Sequence, residues 1–193
     1  LDVKENKIFH YTENGSKWCI TTPFRSYLSS KGYYKKPLSN MIFSDFSDCF
    51  FQVFTNGQIL KDGKEVNTKV QRQNLWTSAI VHDGEHVLYM DEKSKFRIHH
   101  ITHDYEMFQD EYEINSVAQK IRVSKKGHFI NVYILYPKYG IRVLRFFGGF
   151  NNFINAFFLS IPDCKDFSCS YPRLSVITEG GFLKIWNVQH NQK

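Results

Sequence analysis

The chain has little of what long helices require. Only three of its 193 residues are Ala (Ala79, Ala118 and Ala156), whereas Phe occurs 18 times and Tyr 11 times. Alanine favours helix most strongly, while aromatic side chains suit a pleated, half-buried surface. No apolar run approaches the length of a membrane span, and the N-terminus has no signal-peptide pattern. The composition therefore favours an all-β fold over a helical one.

Cysteine is sparse, and its spacing does not fit zinc. The four cysteines are Cys19, Cys49, Cys164 and Cys169. None forms a C-x-x-C pair and no matching histidine spacing accompanies them, so a zinc site is not expected. Cys164 and Cys169 share a polar segment, and we expect them to be reduced thiols. Reduced thiols predict an intracellular protein, in the nucleus or the cytoplasm.

Sequence motifs of catalysis are also missing. There is no Gly-Lys-Ser/Thr phosphate loop, no Gly-x-Ser-x-Gly elbow and no His-Glu-x-x-His motif. Five histidines invite a metal hypothesis: His82, His86, His99, His100 and His103. Strand alternation places adjacent histidines on opposite faces, and no further ligand stands at a metal-site spacing. We therefore predict that the chain is not an enzyme, uses no cofactor and holds no metal.

A hairpin pattern near the C-terminus recurs along the chain. Two β-forming runs flank Gly180-Gly181, and the second run ends in Trp186-Asn187. In this hairpin a polar residue is followed directly by an aliphatic one, Lys184-Ile185, and we call such a pair a polar-apolar step. Three equivalent steps occur earlier in the chain, in this order: Gln58-Ile59, Arg97-Ile98 and Arg142-Val143. The steps are roughly 39, 45 and 42 residues apart, which is the spacing of four-stranded propeller blades.

A second pattern keeps the same phase as the first. Turn-forming sequences precede the hairpins, each between two alternating strands, at 44–48, 81–85 and 123–128. The combination resembles the WD-repeat family, whose blades carry such a turn after their first strand and end in Trp-Asp. Asn187 replaces the acidic residue here, and the family's Gly-His pair is absent. The resemblance implies a β-propeller with blades of four antiparallel strands; a β-sandwich or barrel of similar strand spacing is the alternative.

The repeat predicts one propeller region over residues 1–193. Its predicted segments are 1–22 (end of an earlier blade), 23–40 (loop), 41–70, 75–115 and 117–160 (blades), and 161–188 (closing hairpin). Rings of WD repeats usually close with more blades than these. The ring is therefore either incomplete in this sequence, completed by another chain, or unusually small, and we favour the first two.

The resemblance also implies a function. WD-repeat proteins are non-catalytic scaffolds for protein–protein interaction, which implies a subunit of an intracellular multiprotein complex whose partners are other protein subunits. Their ligands lie at loops on one face of the ring or along blade edges. The corresponding hairpin turns predict protein-binding residues at Tyr136, Lys138, Tyr139, Glu92 and Lys93. Tyr136 and Tyr139 are the predicted anchors, because exposed aromatic side chains dominate interface energetics.

The apolar segment 147–159 has two interpretations. Contiguous apolar surface marks interaction sites, so the segment is either an exposed docking patch or an outer strand packed against a neighbouring blade. Packing is the interpretation we favour.

Charge supports an alternative function. The formal net charge is +6 and the pI is near 9.0, which permits an acidic partner. Aromatic and basic side chains suited to stacking on bases and neutralising phosphates are Tyr33, Tyr34, Lys35, Lys36, Arg122, Lys125 and Lys126. They predict, as the alternative function, a nucleic-acid-associated subunit that binds DNA or RNA, but a solvated loop and a solvated rim are the interpretations we favour for these residues. The Asn-, Lys-, Phe- and Tyr-rich composition is typical of an AT-rich eukaryotic genome.

Overall fold

The computed structural model of the chain consists of β-strands joined by turns. It describes residues 2–4, 7–11, 17–21, 25–30, 42–44, 49–55, 57–62, 64–66, 76–103, 105–110, 112, 114 and 116–188. For residues before 51, and for Gln52, it describes the backbone alone. The described residues include no helix long and apolar enough to cross a membrane.

The chain divides into two compact units, Leu1–Glu111 and Tyr112–Lys193. The first unit contains three antiparallel sheets, each of four strands in sequence order. The first sheet consists of β1 (Asp2–Lys4), β2 (Lys7–Tyr11), β3 (Lys17–Thr21) and β4 (Arg25–Ser30). The second consists of β5 (Ile42–Ser44), β6 (Cys49–Val53), β7 (Ile59–Lys61) and β8 (Lys64–Glu65). The third consists of β9 (Trp76–His82), β10 (His86–Asp91), β11 (Phe96–His100) and β12 (Tyr105–Gln109).

The second unit contains two antiparallel sheets. One has four strands, β13 (Lys120–Lys126), β14 (Phe129–Tyr136), β15 (Gly140–Phe147) and β16 (Phe153–Ser160). The other has three, β17 (Cys164–Ser170), β18 (Arg173–Thr178) and β19 (Leu183–Asn187). All neighbouring strands pair antiparallel, so each sheet is a meander.

The sequence repeat is the repeat of these sheets. The polar-apolar steps at 58–59, 97–98, 142–143 and 184–185 lie at the third strand of four successive sheets, β7, β11, β15 and β19. The turn at Asp83-Gly84 joins β9 to β10 with positive φ angles of 51° and 78°, as a tight hairpin requires. The predicted all-β class with four-stranded antiparallel blades is therefore confirmed.

Two segments predicted as loops contain strands instead. β4 lies inside 23–40, and β17 lies inside the segment 161–172, which was expected to be polar loop. In β17 the side chains of Cys164 and Phe167 are buried, while the polar residues between and after them are exposed. Both strands are rich in Ser and poor in β-branched residues, so composition alone concealed them. Residues 161–188 consequently form a three-stranded sheet rather than a hairpin.

The core of the second unit lies between its two sheets. The four-stranded sheet contributes Tyr133, Leu135, Ile141 and Val143, and the three-stranded sheet contributes Cys164, Phe167, Leu174 and Val176. Within β14, β15 and β18 these residues lie two apart and therefore share one face. In β17, a β-bulge between Cys164 and Asp166 puts Cys164 on the same side as Phe167. β14 and β15 are buried at nearly every position, so the sheet is covered on both faces at these two central strands.

Candidate functional site

The turn between β14 and β15 presents an aromatic residue and a cation on a fixed backbone. The amide N of Tyr139 donates to the carbonyl O of Tyr136 at 3.1 Å, and the carbonyl O of Tyr139 accepts from the N of Ile161 at 3.3 Å. Lys138 has a positive φ of 67° and is exposed. The side chain of Tyr139 is 46% exposed. We call residues 138–139 the Lys-Tyr turn.

Gly140 holds this turn close to the end of β16. Its φ is 132°, and a Cβ there would lie 2.1 Å from the carbonyl O of Leu159 and 2.6 Å from the N of Ile161. No side chain fits that space without moving backbone. The glycine therefore allows the close approach that anchors the Lys-Tyr turn.

Tyr136 is not the exposed anchor that the sequence predicted. It is 1% exposed, because it ends β14, a strand that is buried on both faces. The sequence suggested that Tyr136 is exposed because it lies next to a turn, but β14 is buried up to its last residue. Tyr136 therefore has a packing role, and the prediction of an anchor at this position is wrong.

The turn between β10 and β11 carries Glu92 and Lys93, both exposed. Asp91 shapes this turn, since its Oδ1 accepts from the backbone N of Lys93 and of Lys95, each at 2.9 Å. The side chain of Asp91 is buried, and the Nε of Arg97 lies 3.7 Å from its Oδ2. An aspartate that opens a turn is a signal for such backbone bonds, and it identifies Asp91 as structural. Glu92 and Lys93 belong to the first unit, and the Lys-Tyr turn belongs to the second.

The basic residues of the nucleic-acid alternative are only partly described. Arg122, Lys125 and Lys126 lie on β13 and are exposed. Strand alternation places Lys125 on the face opposite Arg122 and Lys126, so the three do not form one face. The Nζ of Lys126 lies 5.5 Å from the centroid of the Tyr171 ring. Tyr33, Tyr34, Lys35 and Lys36 lie outside the described residues.

Lys120, at the start of the same strand, was missed by sequence reasoning. Its Nζ pairs with the carboxylate of Asp166 and donates to the carbonyl O of Phe167 at 2.8 Å. Burial alone would raise the pKa of Asp166, but hydrogen bonds from Lys120 and from the N of Phe167 hold that pKa below its ordinary value. Lys120 therefore ties β13 to β17, and only a structure reveals a partner 46 residues away.

Three of the histidines and a tyrosine form a row across the sheet β9–β12. The strand register places His82 opposite His86, His86 opposite His100, and His100 opposite Tyr105. The ring centroids of His86 and His100 are 5.0 Å apart, and the Nδ1 of His86 lies 2.7 Å from the carboxylate of Asp83. Burial, together with the charges of His86 and His103, lowers the pKa of His100. A lowered pKa favours neutral imidazole at neutral pH.

His99 faces the other way, as strand alternation predicts. Its Nε2 lies 3.2 Å from the carboxylate of Glu106, and its ring lies 5.6 Å from that of Tyr89. Within the described ranges, no three His, Cys, Asp or Glu side chains gather as metal ligands would. The histidine row is therefore a stacking and hydrogen-bonding feature of the sheet.

Cys164 and Cys169 are free thiols on the covered side of β17. Burial raises the pKa of each thiol to about 11. Since the thiolate is the reactive form, both are poor nucleophiles at neutral pH.

Comparison with known proteins identifies the fold. No protein-family model matches the sequence, and no curated protein matches it. Among solved structures, the WD40 β-propeller domain of Doa1 is similar with a TM-score of 0.67 and 9% identity, over 97% of this chain and 62% of that one. The C-terminal WD40 domain of Sif2 is similar with a TM-score of 0.66 and 13% identity, over 96% of this chain and 55% of that one. The computationally designed protein Ika8 is similar with a TM-score of 0.64 and 11% identity.

These likenesses establish a fold and not a function. The chain has the β-propeller fold of WD40 domains, which confirms the resemblance seen in its sequence. It spans between 55% and 62% of the length of the two WD40 domains it matches. Because one propeller fold carries many functions, activity and partners must be inferred from this chain's own surfaces.

Proposed function

We propose that the chain is a non-catalytic scaffold for protein–protein interaction, acting as a subunit of an intracellular multiprotein complex. The observation that carries the proposal is the Lys-Tyr turn. Its backbone is bonded to β14 on one side and to Ile161 on the other, and its Tyr139 side chain is nearly half exposed. An aromatic side chain has few rotatable bonds, so on a fixed backbone it loses little conformational freedom on binding, which is why such residues act as anchors.

The chemistry of the turn defines the partner surface that it fits. Tyr139 offers an apolar ring with a hydroxyl at its tip, and Lys138 adds a positive charge beside it. A partner with an apolar socket rimmed by a carboxylate complements both groups. The socket would supply affinity, and the carboxylate would supply orientation and association rate.

Glu92 and Lys93 form a second, smaller proposed contact. Both are exposed and carry opposite charges on a turn that Asp91 holds in place. Exposed charges contribute little affinity, so we assign this turn a role in orientation. The free thiols of the buried Cys164 and the half-buried Cys169 support an intracellular location, in the nucleus or the cytoplasm.

Quantitative co-purification from the source cells tests the scaffold proposal. The full chain and its Tyr139→Ala variant are tagged and isolated, and bound proteins are counted by mass spectrometry. We expect a partner at fixed stoichiometry with the native chain, and a loss of about tenfold or more with Tyr139→Ala. Tyr105→Ala is the matched control, because Tyr105 is 44% exposed and lies in the other unit.

Two results would overturn the proposal. One is the absence of any stoichiometric protein partner. The other is recovery of nucleic acid in place of protein, with binding that falls steeply as salt rises, which would favour the alternative function. Equal losses with Tyr139→Ala and Tyr105→Ala would remove the Lys-Tyr turn from the proposal.

A further inference from the structure

The last strands of the five sheets differ in the protection of their outer edges. Edge strands expose unpaired backbone groups, and proteins usually guard them with charge or with short length. β4, β8, β12 and β19 each contain a charged residue: Arg25, Lys64 with Glu65, Glu106, and Lys184. β16 contains none, although with eight residues it is the longest of the five. The whole segment 146–162 is uncharged.

Backbone geometry shows which groups of β16 point outward. The N–H of Ile161 donates to the carbonyl O of Tyr139, so these two residues form a hydrogen-bonded pair. Every second residue pair along β15 and β16 is of the same type, which includes Leu159 with Ile141 and Phe157 with Val143. In an antiparallel pair, hydrogen-bonded residues alternate with residues whose N–H and C=O point away. The N–H and C=O of Ala156 and Phe158 therefore point away from β15. Within the described part of the chain, β16 pairs with β15 alone.

Side chains at the start of β16 are apolar and exposed. Phe153 is 44% exposed and its neighbour Ile154 is 47% exposed. Ile154 is the extra residue of a β-bulge, because Arg145 pairs with Asn155 and Phe146 pairs with Phe153. An added strand would gain backbone hydrogen bonds from the edge and apolar contacts from these two side chains.

Charge indicates which kind of strand would be added. Residues 112–193 contain eleven Lys and Arg against four Asp and Glu, whereas residues 1–111 contain fourteen against fifteen. The positive charge of the protein is therefore concentrated in the unit that carries β16. Two copies joined through β16 would bring two strongly positive units together, which disfavours self-association. An acidic partner gains from the same field.

We propose that the edge of β16 binds an extended peptide segment of a partner protein as a fifth strand. The segment has an uncharged, β-forming centre that matches the uncharged edge, and acidic residues on its flanks. Main-chain hydrogen bonds to Ala156 and Phe158 give affinity, and contacts with Phe153 and Ile154 give selectivity. The inference does not depend on the Lys-Tyr turn, because it uses a different surface and a different mode of binding.

Selection from a displayed library of random peptides of about ten residues tests this proposal on the full chain. We expect enriched peptides with uncharged centres and acidic flanks. Synthetic copies are then measured by fluorescence anisotropy, including two versions N-methylated at alternate backbone positions. One of the two N-methylated versions should bind at least about tenfold more weakly, because it lacks the donors that face the edge.

Variants of β16 locate the binding surface. Ala156→Pro removes an outward N–H without removing a bond to β15, and should weaken binding by about tenfold or more. Ala156→Ser keeps the N–H and should bind as the native chain does. Ile154→Lys places a charge on the exposed edge and should also weaken binding, which provides a second test if Ala156→Pro does not fold. Tyr105→Ala, which changes an exposed aromatic side chain in the other unit, should leave peptide binding unchanged.

Three results would overturn the proposal. They are a selection that enriches no peptide, enriched peptides that bind Ala156→Pro and Ile154→Lys as well as the native chain, and peptides insensitive to both patterns of N-methylation. A concentration-dependent dimer that Ile154→Lys abolishes would show instead that a second copy of the chain occupies the edge.

Discussion

The two sheets of the second unit repeat one sequence pattern in different surroundings. The step at 142–143 in β15 and the step at 184–185 in β19 occupy equivalent positions. Ile141 and Val143 are fully buried, whereas their equivalents Leu183 and Ile185 are each 63% exposed. The difference arises because the three-stranded sheet covers the first pair, and no described residue covers the second pair to the same extent.

β18 shows the same contrast within a single strand. Leu174 and Val176 face the four-stranded sheet and are 0% exposed, while Ile177, which points the other way, is 48% exposed. With Leu183, Ile185 and the 71% exposed Phe182, it forms an apolar surface of the kind that marks an interaction site. A strand pattern therefore specifies which face is apolar, and the neighbouring sheet decides whether that face is buried.

The largest expected difference in the free energy of unfolding is between alanine variants of Ile141 and Leu183. Ile141→Ala removes a fully buried side chain between two sheets and should lower the free energy of unfolding by about 2–4 kcal/mol. Leu183→Ala removes a mostly exposed side chain and should change it by less than about 0.5 kcal/mol. Chemical denaturation of both variants measures the difference. Similar losses would contradict the comparison and show that Leu183 is covered in solution.

The second largest expected difference in stability is between alanine variants of two glycines at equivalent turns of the two sheets. Gly140 and Gly181 both have positive φ. Gly140 is the first residue of the third strand of its sheet, and Gly181 lies in the turn just before the third strand of the other sheet. Gly140→Ala forces a Cβ against backbone and should cost about 2–3 kcal/mol, whereas Gly181→Ala meets nothing within 4 Å and should cost about 1 kcal/mol of conformational strain. Thermal unfolding of the pair measures this ordering. The reverse ordering would show that the Lys-Tyr turn does not approach β16 as closely as the structure has it.

The third expected difference in stability is between two variants, each of which removes the lysine of one lysine–aspartate pair. Lys120 is tied to β17 through Asp166 and the carbonyl O of Phe167, whereas the pair of Lys184 with Asp163 is 46% exposed at both side chains. Lys120→Met should cost about 1 kcal/mol, and Lys184→Met should cost almost nothing, since exposed ion pairs contribute little. Denaturation midpoints of the two variants test this. Equal midpoints would mean that Lys120 does not hold the two sheets together.

The smallest effect concerns the thiols on the covered face of β17. Because burial raises the pKa of Cys164 and Cys169 to about 11, alkylation of the folded chain at pH 8 should be much slower than alkylation of the unfolded chain. The rate should rise about tenfold per pH unit, because the thiolate fraction rises in that proportion below the pKa. Peptide-level mass spectrometry after timed iodoacetamide treatment gives both rates. Fast alkylation at pH 8 would show that the two sheets separate readily.

Sequence reasoning found the repeat but not the surroundings of individual residues. The phase of the hairpins was predictable because turn residues and polar-apolar steps are local signals. β4 and β17 were missed because short polar side chains conceal strands that pairing stabilises. The burial of Tyr136 was missed because the exposure of a strand end depends on which sheet covers it.

The exposure of the candidate site residues was predictable from the sequence, but their contacts across strands and between sheets were not. The exposure of Tyr139, Lys138, Glu92 and Lys93 follows from their position in hairpin turns, and the structure shows it. The row of His82, His86 and His100 depends on strand register, which a single sequence does not reveal. The link from Lys120 to Asp166 joins two sheets and needs the tertiary structure.

The mass of the particle that the chain forms in its source cells tests the scaffold proposal most directly. Native mass spectrometry of the gently purified protein gives that mass and its composition. The account predicts a particle heavier than the 22.8 kDa chain, containing at least one different protein subunit in fixed stoichiometry. A particle that contains this chain alone, at every concentration tested, would contradict it.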